Sequence, residues 1–189
     1  MYDETIRADS NIFSFKPIPV QENFLLRPIS AKPEIFDAEV QFYKMNSQSE
    51  EVRRFLPGAF ADSVDVAKEK LVQLIQKGIF KGTVTYCICE KGYPSPLGYI
   101  CLNSPLVPSG YNTWTIDFWS GETMRGKALM TVSVHTLLGY AQENAIEEVK
   151  ALVDPENQKA INVLERAGFG FLGQEPEEER RYIYGVRLN

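Results

Sequence analysis

With 189 residues, 44% of them hydrophobic, the chain is long enough to bury one core and falls within the usual range for one domain. Twenty Lys and Arg against 25 Asp and Glu leave a formal charge of −5, which gives no whole-chain electrostatic footprint for DNA or another nucleic acid partner. No apolar run approaches the ~18 residues of a membrane span, and residues 1–10 carry Asp3, Glu4, Arg7 and Asp9 where a leader would be apolar, so a cytoplasmic protein with no membrane partner is expected.

Residues 1–22 read as an arm and 23–189 as one domain. Phe24-Leu25-Leu26-Arg27-Pro28-Ile29 reads as a first strand stopped by proline, after which Lys32-Pro33-Glu34 opens a helix running through Phe36, Val40 and Tyr43. A second helical region covers 49–55 and ends at Leu56-Pro57-Gly58. A third covers 65–77, with Val66, Leu71, Leu74 and Ile75 as its apolar stripe and Gly78 as its stop. The β-rich runs 83–90 and 97–103 form a hairpin about the Gly- and Pro-containing turn 91–96. Pro108-Ser109-Gly110 then turns into 112–119, where Trp114, Ile116 and Phe118 alternate with Thr113, Thr115, Asp117 and Trp119.

Past Trp119 the apolar period becomes helical, with Met130, Val134, Leu137, Leu138 and Ala141 following the polar turn 120–127. Residues 149–153 are a short strand. Asp154-Pro155-Glu156-Asn157 then carries three helix-start signals: an N-cap Asp, proline at the first helical position and an acid in the first turn. That helix places Ala160, Val163, Leu164 and Ala167 on one face and stops at Gly168, before a strand over 169–172. An acidic loop, 174–179, precedes a last strand in which Tyr182, Tyr184, Val186 and Leu188 alternate with charged and apolar neighbours.

Cys87, Cys89 and Cys101 are an odd set in β-like stretches with no metal-ligand spacing; they read as reduced core thiols, with Cys87 and Cys89 on one strand face. His135 is the single histidine, which excludes a His-rich metal site, and it reads as structural. No metal is expected.

The strand-to-helix turn Arg125-Gly126-Lys127-Ala128 exposes backbone N–H groups at the positive end of a helix dipole. Gly126 allows close approach of an anion, and Arg125 and Lys127 add the charge a diphosphate needs; an ordinary basic loop is the alternative. Neither the dinucleotide Gly-x-Gly-x-x-Gly nor the Gly-x-x-x-x-Gly-Lys-Ser/Thr phosphate loop is present.

Arg125-Gly126-Lys127-Ala128-Leu129-Met130 resembles the pyrophosphate loop of the GNAT acetyltransferases, usually written Arg/Gln-x-x-Gly-x-Gly/Ala. Asn157-Gln158-Lys159-Ala160-Ile161 with Arg166-Ala167-Gly168-Phe169 resembles the family's later Asn-x-x-Ser/Ala…Gly-Phe signature. Leu25-Leu26-Arg27-Pro28, Leu97-Gly98-Tyr99-Ile100 and Ile116-Asp117-Phe118-Trp119 are similar to landmarks of the ribosomal-protein N-terminal acetyltransferase (RimJ/RimL-like) branch, in the same order. The resemblance implies an α/β (α+β) fold with a mostly antiparallel sheet of about seven strands flanked by helices and splayed near Trp119 and Val153. It also implies acetyl-CoA as co-substrate. By the same implication Phe118 and Trp119 pair with the pantetheine arm, the amides of Arg125, Gly126, Lys127, Ala128, Leu129 and Met130 hold the pyrophosphate, and Asn157 hydrogen-bonds the cofactor.

Two departures bear on chemistry. Ala128 stands at a loop glycine, where a methyl is tolerated only at ordinary helical angles. Leu164 stands where many members carry the tyrosine that protonates the departing thiolate. Amine attack on a thioester then rests on orientation, proton removal and carbonyl polarisation. Asp117, a carboxylate on an otherwise apolar-aromatic strand, is the candidate base; pairing with a neighbouring Arg or Lys is the alternative. The expected activity is transfer of acetyl to a small amine or protein N-terminus in a ternary complex, with a homodimer as a possible assembly. The competing expectation is a GNAT-fold acyl-CoA-binding or interaction module without turnover.

Overall fold

In the computed structural model, which describes residues 16–105, 113–124, 128–175 and 181–188, the period-two runs pair into one sheet of eight strands among the described residues. The strands are β1 (Ile18–Gln21), β2 (Phe24–Pro28), β3 (Val84–Glu90), β4 (Pro96–Asn103), β5 (Trp114–Ser120), β6 (Glu148–Val153), β7 (Gly170–Gln174) and β8 (Tyr182–Arg187). Their order is β1-β2-β3-β4-β5-β6-β8-β7, and only β5 and β6 run parallel. The helices are α1 (Pro33–Ser47), α2 (Glu50–Phe55), α3 (Val64–Lys81), α4 (Leu129–Glu143) and α5 (Gln158–Arg166). No helix among the described residues is long and apolar enough to cross a membrane.

Alternation along the central strands sorts the side chains into two cores. Val84, Tyr86 and Ile88 of β3, Ile100 and Leu102 of β4 and Ile116 of β5 face Leu129, Val134 and Leu137 of α4 and Ile161 and Leu164 of α5. Cys87, Cys89 and Tyr99 face the other way, against Val40, Phe42 and Tyr43 of α1 and Ala67 and Leu71 of α3. Asp117 and Trp119 share this second face, because they alternate with Ile116 and Phe118.

Three boundaries differ from the sequence reading. The additional strand is β1, which falls within residues read as an arm: Ile18 pairs with Leu26 and Pro19 with Leu25. Pro19 lacks an N–H, which an edge strand tolerates. The third helix does not stop at Gly78, which stays buried inside α3; it ends at Gly82, where φ is +64° and the amides of Gly82 and Thr83 return to the Lys77 carbonyl. The last helix begins at Gln158. Asp154 is not its cap but closes a turn, its Oδ1 accepting from the Glu156 amide at 2.8 Å, while Asn157 Oδ1 accepts from the Ala160 amide at 3.2 Å.

Gly98 is where β4 passes closest to β5: a Cβ there would lie 2.7 Å from the Trp119 carbonyl oxygen and 3.1 Å from Ser120 Cα. Both obstacles are backbone, so the strands must part. Gly98→Ala is expected to cost about 1–3 kcal/mol, read as a fall of ~2–4 °C in Tm per kcal/mol, whereas Gly58→Ala, with open space around it, should leave the melt within about 0.5 kcal/mol.

Candidate active site

The parallel pair β5 and β6 is joined only through Trp114 with Val149 and Thr115 with Lys150. Beyond that point β5 follows β4 as far as Ser120, and β6 follows β8 as far as Val153 opposite Tyr182. The strands therefore diverge, and among the described residues the backbone of β5 after Thr115 has no ladder partner on its β6 side. A cleft of about 140 Å³ opens there, between Phe118 and Trp119 of β5, Val52 and Phe55 of α2, Met130 of α4 and Val163 of α5. Ion pairs Glu51–Lys159 and Arg54–Glu156 tie α2 to α5 and to the turn before it, beside this cleft.

At one end of the cleft stands the α4 N-terminus. It has no side-chain cap and no acid in its first turn, and its entry residue, Ala128, has φ 51° and ψ 6°. The ordinary helical angles required of Ala128 by the sequence reading are thus replaced by left-handed ones. For an alanine this costs about 1–2 kcal/mol, and the first-turn amides, including those of Leu129 and Met130, are left without a side-chain cap. The Leu129 side chain is buried in the core, and Met130 lines the cleft. Arg125, Gly126 and Lys127 lie outside the described residues, as do the turn Pro108-Ser109-Gly110 and Glu177, Glu178 and Glu179 of the acidic loop.

Across the cleft, Asn157 caps α5 with its oxygen, which leaves its Nδ2 hydrogens for a ligand. Ala160 and Val163 turn toward the cleft, while Leu164 is 1% exposed and points into the core. No hydroxyl can act from that position. His135, on α4, lies 3.1 Å by Nε2 from the Arg166 carbonyl oxygen, so its partner comes from the end of α5 and its role is to join two helices.

Asp117 lies on the opposite face of the sheet, on the floor of a recess of about 320 Å³ between α3, the turn after α2, and β3 to β5. Tyr43, Tyr99 and Trp119 form its aromatic wall, with Trp119 ring centroids 5.2 Å from Tyr43 and 5.1 Å from Tyr99. A polar chain crosses the floor. Thr85 Oγ1 is 3.2 Å from Cys101 Sγ, Cys101 Sγ donates to Asn103 Oδ1 at 3.3 Å, and Asn103 Nδ2 donates to Asp117 Oδ2 at 2.7 Å. Burial pushes the Cys101 thiol up to about 12, so it remains an S–H donor and fixes which end of the Asn103 amide faces Asp117.

The mouth of the recess leaves the Asp117 carboxylate accessible to solvent, but protein closes around it on the other sides. That enclosure raises its pKa above the usual carboxylate value, against the opposing pull of Asn103, Lys77 and Arg181. Among the described residues Asp117 is held by an amide and not by an ion pair. The recess and the cleft share Leu56 and Trp119 in their walls, so the two cavities adjoin across these side chains, beyond the point where β5 leaves β6. The sequence reading did not single out Asn103, Lys77 or Tyr43 as site residues. The alternation of Cys101 and Asn103 along β4 was a usable signal, but the register that sets Cys101 opposite Asp117 was not.

Residues 23–170 match the family profile described as Acetyltransferase (GNAT) domain. No curated protein matches significantly. Among solved structures, an acetyltransferase from Agrobacterium tumefaciens str. C58 is 18% identical, with a TM-score of 0.73 over 92% of this chain and 95% of that one. RimL, a ribosomal L7/L12 α-N-protein acetyltransferase in complex with coenzyme A, is 16% identical, with a TM-score of 0.75 over 92% and 98%. The microcin C7 self-immunity acetyltransferase MccE, in complex with acetyl-CoA and AMP, is 17% identical, with a TM-score of 0.72 over 92% and 98%. At these identities the likeness is one of fold.

Proposed function

The chain belongs to the GNAT acetyltransferase family and is an acetyl-CoA-dependent enzyme, from which we propose that its acceptor is a primary amine, of a small molecule or a protein N-terminus, which attacks the thioester directly in a ternary complex. The observation that carries this reading is that cleft and recess share Leu56 and Trp119 as wall residues, with Asp117 on the recess floor. A thioester donor in the cleft and an amine in the recess would then face one another without a covalent enzyme intermediate.

The residues of the cleft fit an extended diphosphate ligand. The β6-facing edge of β5 beyond Thr115 offers unpaired backbone groups to an amide-bearing arm, the uncapped α4 N-terminus suits an anion, and Asn157 Nδ2 supplies a donor opposite. In this reading Phe118 and Trp119 line the arm, and the amides from Arg125 to Met130 hold the diphosphate. Asp117 takes the proton that the amine sheds as the C–N bond forms and the C–S bond breaks; the thiolate leaves as free thiol after protonation by water, since Leu164 offers no hydroxyl. The order of landmarks in the sequence favours the ribosomal-protein N-terminal acetyltransferase branch.

A melting curve and a thiol-release assay test the proposal together. Acetyl-CoA at 100 times its Kd is expected to stabilise the fold by about 2.7 kcal/mol, and thiol release is expected to rise when a suitable amine is added. Stabilisation without thiol release for any amine would indicate a binding module, and the absence of both would sink the acetyl-CoA reading.

A further inference from the structure

We infer that the acceptor carries an anionic group, a carboxylate or phosphate close to its reacting amine, and that Lys77 selects it; this rests on the acyl-transfer reading above. The charges of the recess point this way. Among the described residues in its wall, Asp117 is the one acid and Lys70 and Lys77 are the bases. Lys70 Nζ is committed to the Gly58 carbonyl at 2.7 Å. The Lys77 ammonium has no hydrogen bond or ion pair among the described residues; Lys77 lines the recess together with Asp117, and its charge lowers the pKa of both Asp117 and Cys101.

Lys77 also lines the adjoining recess of about 510 Å³, whose walls carry Asp117, Asp154 and Glu175 as well as Arg54 and Arg181. Arg54 is occupied by Glu156. A site for a simple ammonium ion or a polyamine would be expected to concentrate acids, because like charges this close repel. In the recess floored by Asp117, that one carboxylate lies beside an ammonium with no partner among the described residues, which matches an amine and an acid held on one small molecule. The aromatic wall of Tyr43, Tyr99 and Trp119 would flank the apolar part between them. A recess of about 320 Å³ is of small-ligand size.

The test compares paired amines that differ only in the anion: β-alanine with β-alaninamide, 2-aminoethyl phosphate with ethanolamine, and a short peptide with Asp in second place with its Asn counterpart. Binding is titrated calorimetrically with coenzyme A present, and kcat/KM is read by thiol release. In at least one pair the anionic member is expected to be favoured by about tenfold, the scale of one charge-assisted hydrogen bond, and the pair that shows it identifies the source of the anion. Lys77→Met, on an exposed helix position and checked by its melt, should abolish that preference, and Lys77→Glu should reverse it. Equal binding and turnover within every pair, or a preference that survives Lys77→Met, would overturn the inference while leaving the transferase reading intact. Failure of coenzyme A to bind would overturn the transferase reading instead, and Lys77-dependent binding of the anionic member alone would still support the selection.

Discussion

Asp117→Asn is expected to lower kcat/KM by about 10²–10⁴, the span over which a positioned general base contributes, with no loss of melting temperature. The substitution is nearly isosteric, and the oxygen of the new amide can still accept the Asn103 hydrogen bond; what disappears is the capacity to take a proton. Stability should not suffer, by the sign of the linkage. The folded carboxyl is raised above its unfolded value, so the folded chain binds the proton more tightly, and stability falls as pH rises through the window between the two values. A neutral amide at neutral pH avoids that cost. Loss of rate with an unchanged or slightly higher Tm separates a catalytic role from a structural one, and activity within threefold of the parent would remove Asp117 from the mechanism.

The same reasoning fixes a pH profile. The basic form of Asp117 appears as pH rises through its raised pKa, so kcat should show an acidic limb above the usual carboxylate range. Asn103 draws that pKa down through its 2.7 Å hydrogen bond. Asn103→Leu should therefore move the limb to higher pH as well as lower kcat, the signature of a positioning residue. An unmoved limb would mean that Asn103 does nothing for Asp117.

The period of the apolar pattern made most elements legible, because a two-to-3.6 change of period survives in sequence without any tertiary information. It also gave Asp117 its face. Helix ends were harder: Gly78 and Gly82 both look like stops, and the helix ends at Gly82, where the backbone turns left-handed, because a glycine alone does not end a helix unless it takes up that conformation. Asp154-Pro155 looks like a helix start, but the Asx turn moves the cap to Asn157, where the same side chain serves both helix and cleft. Asn103 and Lys77 were invisible as site residues for a different reason: one meets Asp117 through a strand register and the other through a helix docked on the sheet, and neither relation leaves a spacing in the chain.

Glu39 shows the same limit. It lies three residues after Phe36 and one before Val40, so it falls within the apolar stripe of α1, and it is 0% exposed. Arg27 Nη1 donates to its Oε1 at 2.5 Å, the Ser30 amide donates to both oxygens at 3.2 Å, and the Cys87 thiol donates at 3.6 Å. Arg27 reaches on to Cys89 Sγ at 3.5 Å and the Pro94 carbonyl at 3.0 Å, so the pair pins α1 to β2, β3 and the hairpin loop. Breaking it from one side should be severe. Arg27→Met leaves a buried carboxylate without its cation and is expected to cost about 3–5 kcal/mol, whereas Arg27→Met with Glu39→Met should recover most of that loss, because the desolvation of two charges disappears together. Burial already raises the Glu39 pKa against the pull of Arg27, and removal of Arg27 raises it further. The single variant should therefore unfold most readily at high pH and regain stability as acid protonates Glu39, since the folded chain then holds a proton the unfolded chain releases. A denaturant series across pH reads this directly: a deficit that does not shrink on acidification would mean that lost packing of the Arg27 stem, and not an unpaired charge, is the cause.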